Sequence, residues 1–175
     1  PQALYVSISE FLNPGANHGF FANQKVMLKN GRSFYPREGY IYADCILLDS
    51  LFFVDADDEN IELAKEDAMK IVNYMKTRDD YELKEARFSG TKGYHLDYKR
   101  KKKPIVADPI ERVRAYRKQN EEIVNELRKL DLKTFDLNHY NIMKDVFRVR
   151  AAPYSIKSSG NIVKPVDINS WSSEG

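Results

Sequence analysis

Residues 51–54, Leu-Phe-Phe-Val, form an apolar run that ends in Asp55, Asp57 and Asp58, and a helical spacing begins at once from Glu59. A short apolar run bounded by polar residues reads as a buried strand, so the acids stand at a rigid strand end. Side chains alternate across a strand, which gives Asp55 and Asp57 one face and Ala56 the other. Carboxylates crowded there repel one another unless something cationic lies between them. From 59 onward Ile61, Ala64, Ala68, Ile71, Val72 and Met75 recur at helical spacing, which predicts an amphipathic helix over 59–77. Two explanations of the acids compete. They are hard oxygen donors for a pair of divalent cations, or they are charges that favour the positive end of the following helix. Taken alone, the D-x-D favours the second.

The rest of the chain reads as strands and helices joined by short loops. Residues 4–8 predict a short strand ended by Asn13-Pro14-Gly15, and Asn30-Gly31 marks a turn before a β-rich stretch over 39–54. Residues 81–89 and 94–98 read as paired strands around a glycine-flanked break. Asp108-Pro109 opens a charged helix whose apolar stripe is Ile110, Val113, Ile123, Leu127 and Leu130. Phe135-Asp136 follows a turn, 145–150 reads as a short strand or turn, and 161–166 as the last ordered element, with 170–175 as loose chain. These elements predict one mixed α+β domain of 175 residues. The first residue is Pro rather than Met, which reads as a piece of something longer.

Bulk charge says little, because the formal net charge is +2. Its distribution says more. Lys99-Arg100-Lys101-Lys102-Lys103 is a dense cationic run, either a solvated loop or a grip on a nucleic-acid backbone. One cysteine, Cys45, and three histidines argue against a disulfide framework and a structural zinc site, and for an intracellular chain. No apolar stretch is long enough to span a bilayer, and nothing resembles a signal peptide.

Three further groupings carry polar chemistry. In Ser89-Gly90-Thr91-Lys92-Gly93-Tyr94-His95 two glycines bracket a threonine and a lysine between strands. Such a loop can offer backbone N–H groups, hydroxyls and an ammonium to a phosphate, and His95 could donate to the same anion. By itself it reads as a glycine-rich turn. A late carboxylate comes from Asp136, after the apolar Phe135, or from Asp145, three residues before Arg148. The segment from Arg148 to Gly160 is cationic and turns into a Ser/Lys-rich hairpin, which alone reads as solvated surface.

In this order and spacing the chain resembles the archaeo-eukaryotic primase superfamily, the small catalytic primase subunits and primase-polymerases. That family carries a hydrophobic-D-x-D strand, S-G-x-x-G-x-H, a later aspartate with an arginine three residues on, P-x-S and a T/S-G turn. Here those stand as Val54-Asp55-Ala56-Asp57, Ser89 to His95, Asp145 with Arg148, and Pro153 to Gly160, with Arg37-Glu38-Gly39-Tyr40 matching an upstream R-E before an aromatic strand. The resemblance runs from about residue 5 to 166 and leaves 167–175 as a tail. It implies an RRM-like sheet packed with an N-terminal αβ unit, and template-directed nucleotidyl transfer from an NTP or dNTP to a 3′-hydroxyl on a single-stranded DNA template. Asp55, Asp57 and Asp145 would hold two Mg²⁺ or Mn²⁺ ions. Ser89, Lys92 and His95 would contact the triphosphate, and Arg37, Arg148 and Lys157 would add further nucleotide contacts. A triphosphate brings about four negative charges, so a site with three carboxylates has to add metals and cations before it can bind one.

The departures are specific. Thr91 stands where the family often has a basic residue, Lys157 where a histidine is common, and Ala151 where a second arginine is usual, with Arg150 one step early. Asp136 remains a rival for the third carboxylate; Asp145 is preferred for its spacing to Arg148 and Pro153. A compact form with no zinc module resembles a primase-polymerase core of a plasmid, a virus or a reduced prokaryotic genome, acting in the cytoplasm beside a large-subunit-like or helicase domain. Two rival readings share the motif order: the polymerase module of end-joining ligases, and a non-catalytic nucleic-acid-binding module of the same fold. The retained acids count against the second, since a polyanion binder gains nothing from carboxylates in its groove.

Overall fold

The computed structural model describes residues 4–12, 26–27, 33–34, 46–157 and 159–174. In chain order the strands are β1 (Tyr5–Ser7), β2 (Ser9–Leu12), β3 (Val26–Met27), β4 (Ser33–Phe34), β5 (Ile46–Ser50) and β6 (Phe52–Asp57). Helix α1 (Ile61–Lys76), β7 (Tyr81–Phe88), β8 (Gly93–Arg100), α2 (Pro109–Leu127), α3 (Leu137–Met143), β9 (Val149–Ala151) and β10 (Lys164–Pro165) come next, and a 3₁₀ segment, Ile168–Glu174, closes the chain. The architecture is α+β. Its centre is a four-stranded sheet in the order β10-β7-β8-β6. Because β8 lies between β6 and β7 and is antiparallel to both, β6 and β7 are parallel and α1 is the crossover that joins them.

Alternation along these strands gives the sheet an apolar face and a charged one. Phe52, Val54 and Ala56 of β6 and Leu96 and Tyr98 of β8 meet Ala68, Ile71, Val72 and Met75 of α1, with Ile123, Val124 and Leu127 of α2 in the same cluster. Each fully buried aliphatic side chain there contributes on the order of 1.5–3 kcal/mol. Helix α1 starts where Asn60 accepts from the Glu62 N–H at 3.1 Å, with Glu62 in its first turn and Lys76 in its last. On the opposite face, Arg87 and Asp97, both fully buried, pair through two bonds of 2.7 and 3.2 Å. Arg150 donates to the same carboxylate at 2.8 Å and to the Ser7 carbonyl at 2.7 Å. This cluster ties the β1–β9 ribbon to the sheet. Removing one partner from such a buried group leaves an uncompensated charge and costs about 3–5 kcal/mol.

The helix expected over 59–77 is α1, and the strand pair expected over 81–89 and 94–98 is β7 and β8. Three things differ. Helix α3 was not foreseen. The cationic run is not uniform: Arg100, on the same side of β8 as Leu96 and Tyr98, is buried and donates to Tyr81 Oη, the Ser50 carbonyl and Asn120. The expected loose tail is the 3₁₀ segment, whose Trp171 packs edge-on against Tyr94 at 4.8 Å. Asn13-Pro14-Gly15, Asn30-Gly31, the stretch 39–45 with Cys45, and any helix of an N-terminal αβ unit lie outside the described residues. Among those described, no helix is long and apolar enough to cross a membrane.

Candidate active site

The charged face of the sheet carries Asp55 and Asp57 on β6, opposite His95 and Gly93 on β8. Gly93 is there because nothing larger fits. A Cβ on it would lie 2.3 Å from the Ala56 carbonyl oxygen and 2.7 Å from Asp57 Cβ. The loop between β7 and β8 closes on Ser89, whose N–H donates to the Gly93 carbonyl at 2.8 Å and whose buried hydroxyl accepts from the Gly93 N–H at 3.1 Å. Gly90 supplies the left-handed turn, with φ of 82°.

Asp55 Oδ1 lies 3.2 Å from His95 Nε2. Phe53 meets the imidazole edge-on at 5.2 Å, and His95 Nδ1 is buried with no hydrogen-bond partner. Nε2 is therefore the nitrogen that donates, to Asp55. Burial pushes the Asp55 carboxyl up, but the His95 hydrogen bond and the charges of His95, Arg148 and Lys157 together hold it below the usual carboxylate range.

Asp57 is held differently. Its Oδ1 is 3.0 Å from His139 Nε2, and its Oδ2 is 3.8 Å from Lys92 Nζ. His139 Nδ1 is 2.7 Å from Asp136 Oδ1, so one imidazole stands between two carboxylates. Asp136 is the N-cap of α3 and its carboxylate accepts from the His139 N–H at 2.9 Å. Burial lowers the His139 pKa, but the bonds to Asp57 and Asp136 more than offset this and raise it. Asp55, Asp57, Asp136, His139, Lys92 and Arg148 line one open cleft of about 510 Å³.

Asp145, preferred from spacing, is not brought to this cleft. Its Oδ1 accepts from the Phe147 N–H at 3.0 Å and lies 3.4 Å from Arg117. The reason is α3. Asp136 caps its start, whereas Asp145 comes just after its C-cap, Lys144. Seven helical residues rise about 10 Å, so the two acids stand at opposite ends and only the first reaches β6. The other expected residues divide. Arg148 lines the cleft, and its Nε is buried with no partner. Lys157 Nζ is 3.5 Å from Thr91 Oγ1, and Lys92, exposed, is 3.2 Å from Glu59. Ser89 is spent on its own loop. Arg150 is spent on Asp97. Arg37 lies outside the described residues.

No family model, curated protein or solved structure matches this chain. Its chemistry therefore rests on the site itself. Among the described residues, no group of three or more His, Cys, Asp or Glu side chains is already gathered tightly enough to hold an ion. The carboxylates are instead occupied by imidazoles and Lys92. The donor set nonetheless suits a hard divalent cation: three carboxylates face one cleft, and at least Asp55 is biased toward its ionised form. His139 was missed from sequence. Its only signal is its place three residues after an N-cap aspartate, on the same turn of a short helix.

Proposed function

We propose that the chain is the catalytic core of a metal-dependent, template-directed nucleotidyl transferase of the archaeo-eukaryotic primase kind. One observation carries the reading: Asp55, Asp57 and Asp136 line a single cleft together with Lys92 and Arg148, beside the glycine loop that Lys157 touches at Thr91. A cleft for phosphate alone has no use for three acids, and one for a cation alone has no use for the lysines and the arginine. The succession β6-α1-β7-β8-α2 has the order of an RRM-like unit, with α3 and β9 intervening before β10. In such a sheet the last strand borders the first; here β10 borders β7, and β6 is left at the edge.

Each residue has a part in that chemistry. Asp55, oriented by His95, and Asp57 and Asp136, oriented by His139, would hold two Mg²⁺ or Mn²⁺ ions. When bound, such ions lower the pKa of an attacking hydroxyl and offset charge on the leaving group. Arg148, Lys157 and Lys92 bind the triphosphate of an NTP or dNTP. The primer 3′-hydroxyl gives its proton to solvent as its oxygen bonds the α-phosphorus, and the bond from that phosphorus to the pyrophosphate oxygen breaks. Catalysis is then mostly positioning and charge stabilisation. The test is primer extension on a single-stranded DNA template with Mn²⁺. Asp55→Ala, Asp57→Ala and Asp136→Ala should each abolish extension, and Asp145→Ala should retain it. Wild-type extension by any of the first three overturns the proposal.

A further inference from the structure

The third carboxylate of the cleft arrives from another layer. After α2 the chain turns and runs along the apolar side of the sheet, where Leu130, Leu132 and Phe135 pack against the core that α1 shares. Asp136, the next residue after Phe135, lines the cleft with Asp55 and Asp57 of the edge strand β6. A connection of this kind needs a fixed point, because a small drift of the segment would carry Asp136 away from the cleft it shares with Asp55 and Asp57.

Asp67 supplies that point. It lies among Ala64, Ala68 and Ile71 on the buried side of α1 and is fully buried itself. Its Oδ2 accepts from both the N–H and the hydroxyl of Thr134, at 2.6 and 2.7 Å. Its Oδ1 has no hydrogen-bond partner, with Lys70 Nζ 3.8 Å from it. Lys70 in turn donates to the Asp131 carbonyl. Thr134 is buried, lines the cleft and lies two residues before Asp136. An apolar side chain would fill this helix position without the cost of burying a half-satisfied carboxylate. What the carboxylate adds is two charge-assisted hydrogen bonds to one residue of the crossing segment. Hydrogen bonds join Asp67 to Thr134, two residues of backbone lead from Thr134 to Asp136, and His139 links Asp136 to Asp57.

We infer that Asp67 is a positioning residue that fixes Asp136 on the cleft from the far side of the sheet. The inference rests on reading Asp55, Asp57 and Asp136 as divalent-cation ligands. It is tested by titrating the full chain with Mn²⁺ alone, following the paramagnetic resonance signal of the free ion. Asp136→Ala and Asp67→Ala should each weaken Mn²⁺ binding by about tenfold or more. The double variant should bind no more weakly than Asp136→Ala, because Asp67 acts only through Asp136. Asp67→Asn, whose amide oxygen can still accept both bonds, should keep most of the affinity. Should Asp67→Ala lose its far-ultraviolet dichroism, Thr134→Val carries the same test, with a smaller loss that again vanishes in the Asp136→Ala background. If Asp136→Ala weakens binding while Asp67→Ala and Thr134→Val both leave it unchanged, the inference falls alone. If losses persist in the Asp136→Ala background, Asp67 is a general structural anchor and the inference is overturned. If Asp136→Ala itself binds Mn²⁺ as the wild type does, the carboxylate reading fails and takes the inference with it.

Discussion

Asp55 shows most plainly how neighbours set the state of a single group. Burial favours its neutral form, yet His95, Arg148 and Lys157 keep its carboxyl below the ordinary value of 3.8. A carboxylate whose folded pKa is depressed contributes stability that is fully present above the unfolded pKa and is lost as pH falls through the folded one. The stability difference between the wild type and Asp55→Asn should therefore be constant near neutrality and should shift against the wild type below about pH 4. Urea midpoints across that range measure it, and a flat difference would mean that these three side chains do not act on Asp55. Part of this was legible. The alternation that puts Asp55 and Asp57 on one face comes from strand geometry alone. The imidazole between Asp57 and Asp136 was not legible, because His139 is more than eighty residues from Asp57 and nothing in the local pattern links them.

At the scale of elements, long periodic segments were readable and short ones were not. Helix α1 shows a full apolar stripe over four turns, and tertiary packing had only to confirm it. Helix α3 has seven residues, too few for its pattern to stand out from loop, yet its polarity decides which acid reaches the cleft. The closing 3₁₀ segment was hidden for another reason. Its sequence is polar apart from Ile168 and Trp171, and these two are the residues that pack on the core. Lys65 lies over the Trp171 ring at 5.8 Å, which adds a cation–π contact. Trp171→Ala should lower stability by about 1–3 kcal/mol, less than a fully buried aromatic would cost, because the indole is only partly covered. Thermal unfolding of the variant reads this directly. An unchanged midpoint would return the segment to a surface role.

For the molecule as a whole, the question is where charge is spent. Of the five cations in 99–103, Arg100 is built into the core and Lys103 pairs with Asp49 at 2.8 Å. Lys99, Lys101 and Lys102 are exposed. Lys99 stands four positions after His95 on β8, about 13 Å along the strand, on the same charged face. If these three contact a single-stranded template, replacing them all with alanine should reduce the slope of log affinity against log salt by about 2, at roughly 0.7 per neutralised phosphate. Oligonucleotide binding at several salt concentrations measures it, and an unchanged slope assigns the lysines to solvated surface. Arg100→Ala should instead destabilise the fold, since it strips partners from Tyr81, Asn120 and the Ser50 carbonyl together.

Local repetition in the sequence was enough to determine several features of this protein. Two acids on one face of a strand end, a glycine loop that admits close backbone approach, the α1 crossover and the β7–β8 pair all belong to that set, because periods of two and about 3.6 residues are properties of the chain itself. Only the tertiary structure decided which late aspartate joins the first two, which cations remain exposed and which side chains hold the site in place. Those outcomes depend on how segments far apart in sequence pass one another around the edge of a sheet. Asp136 and Asp145 differ little as residues; they differ in which end of one short helix they occupy.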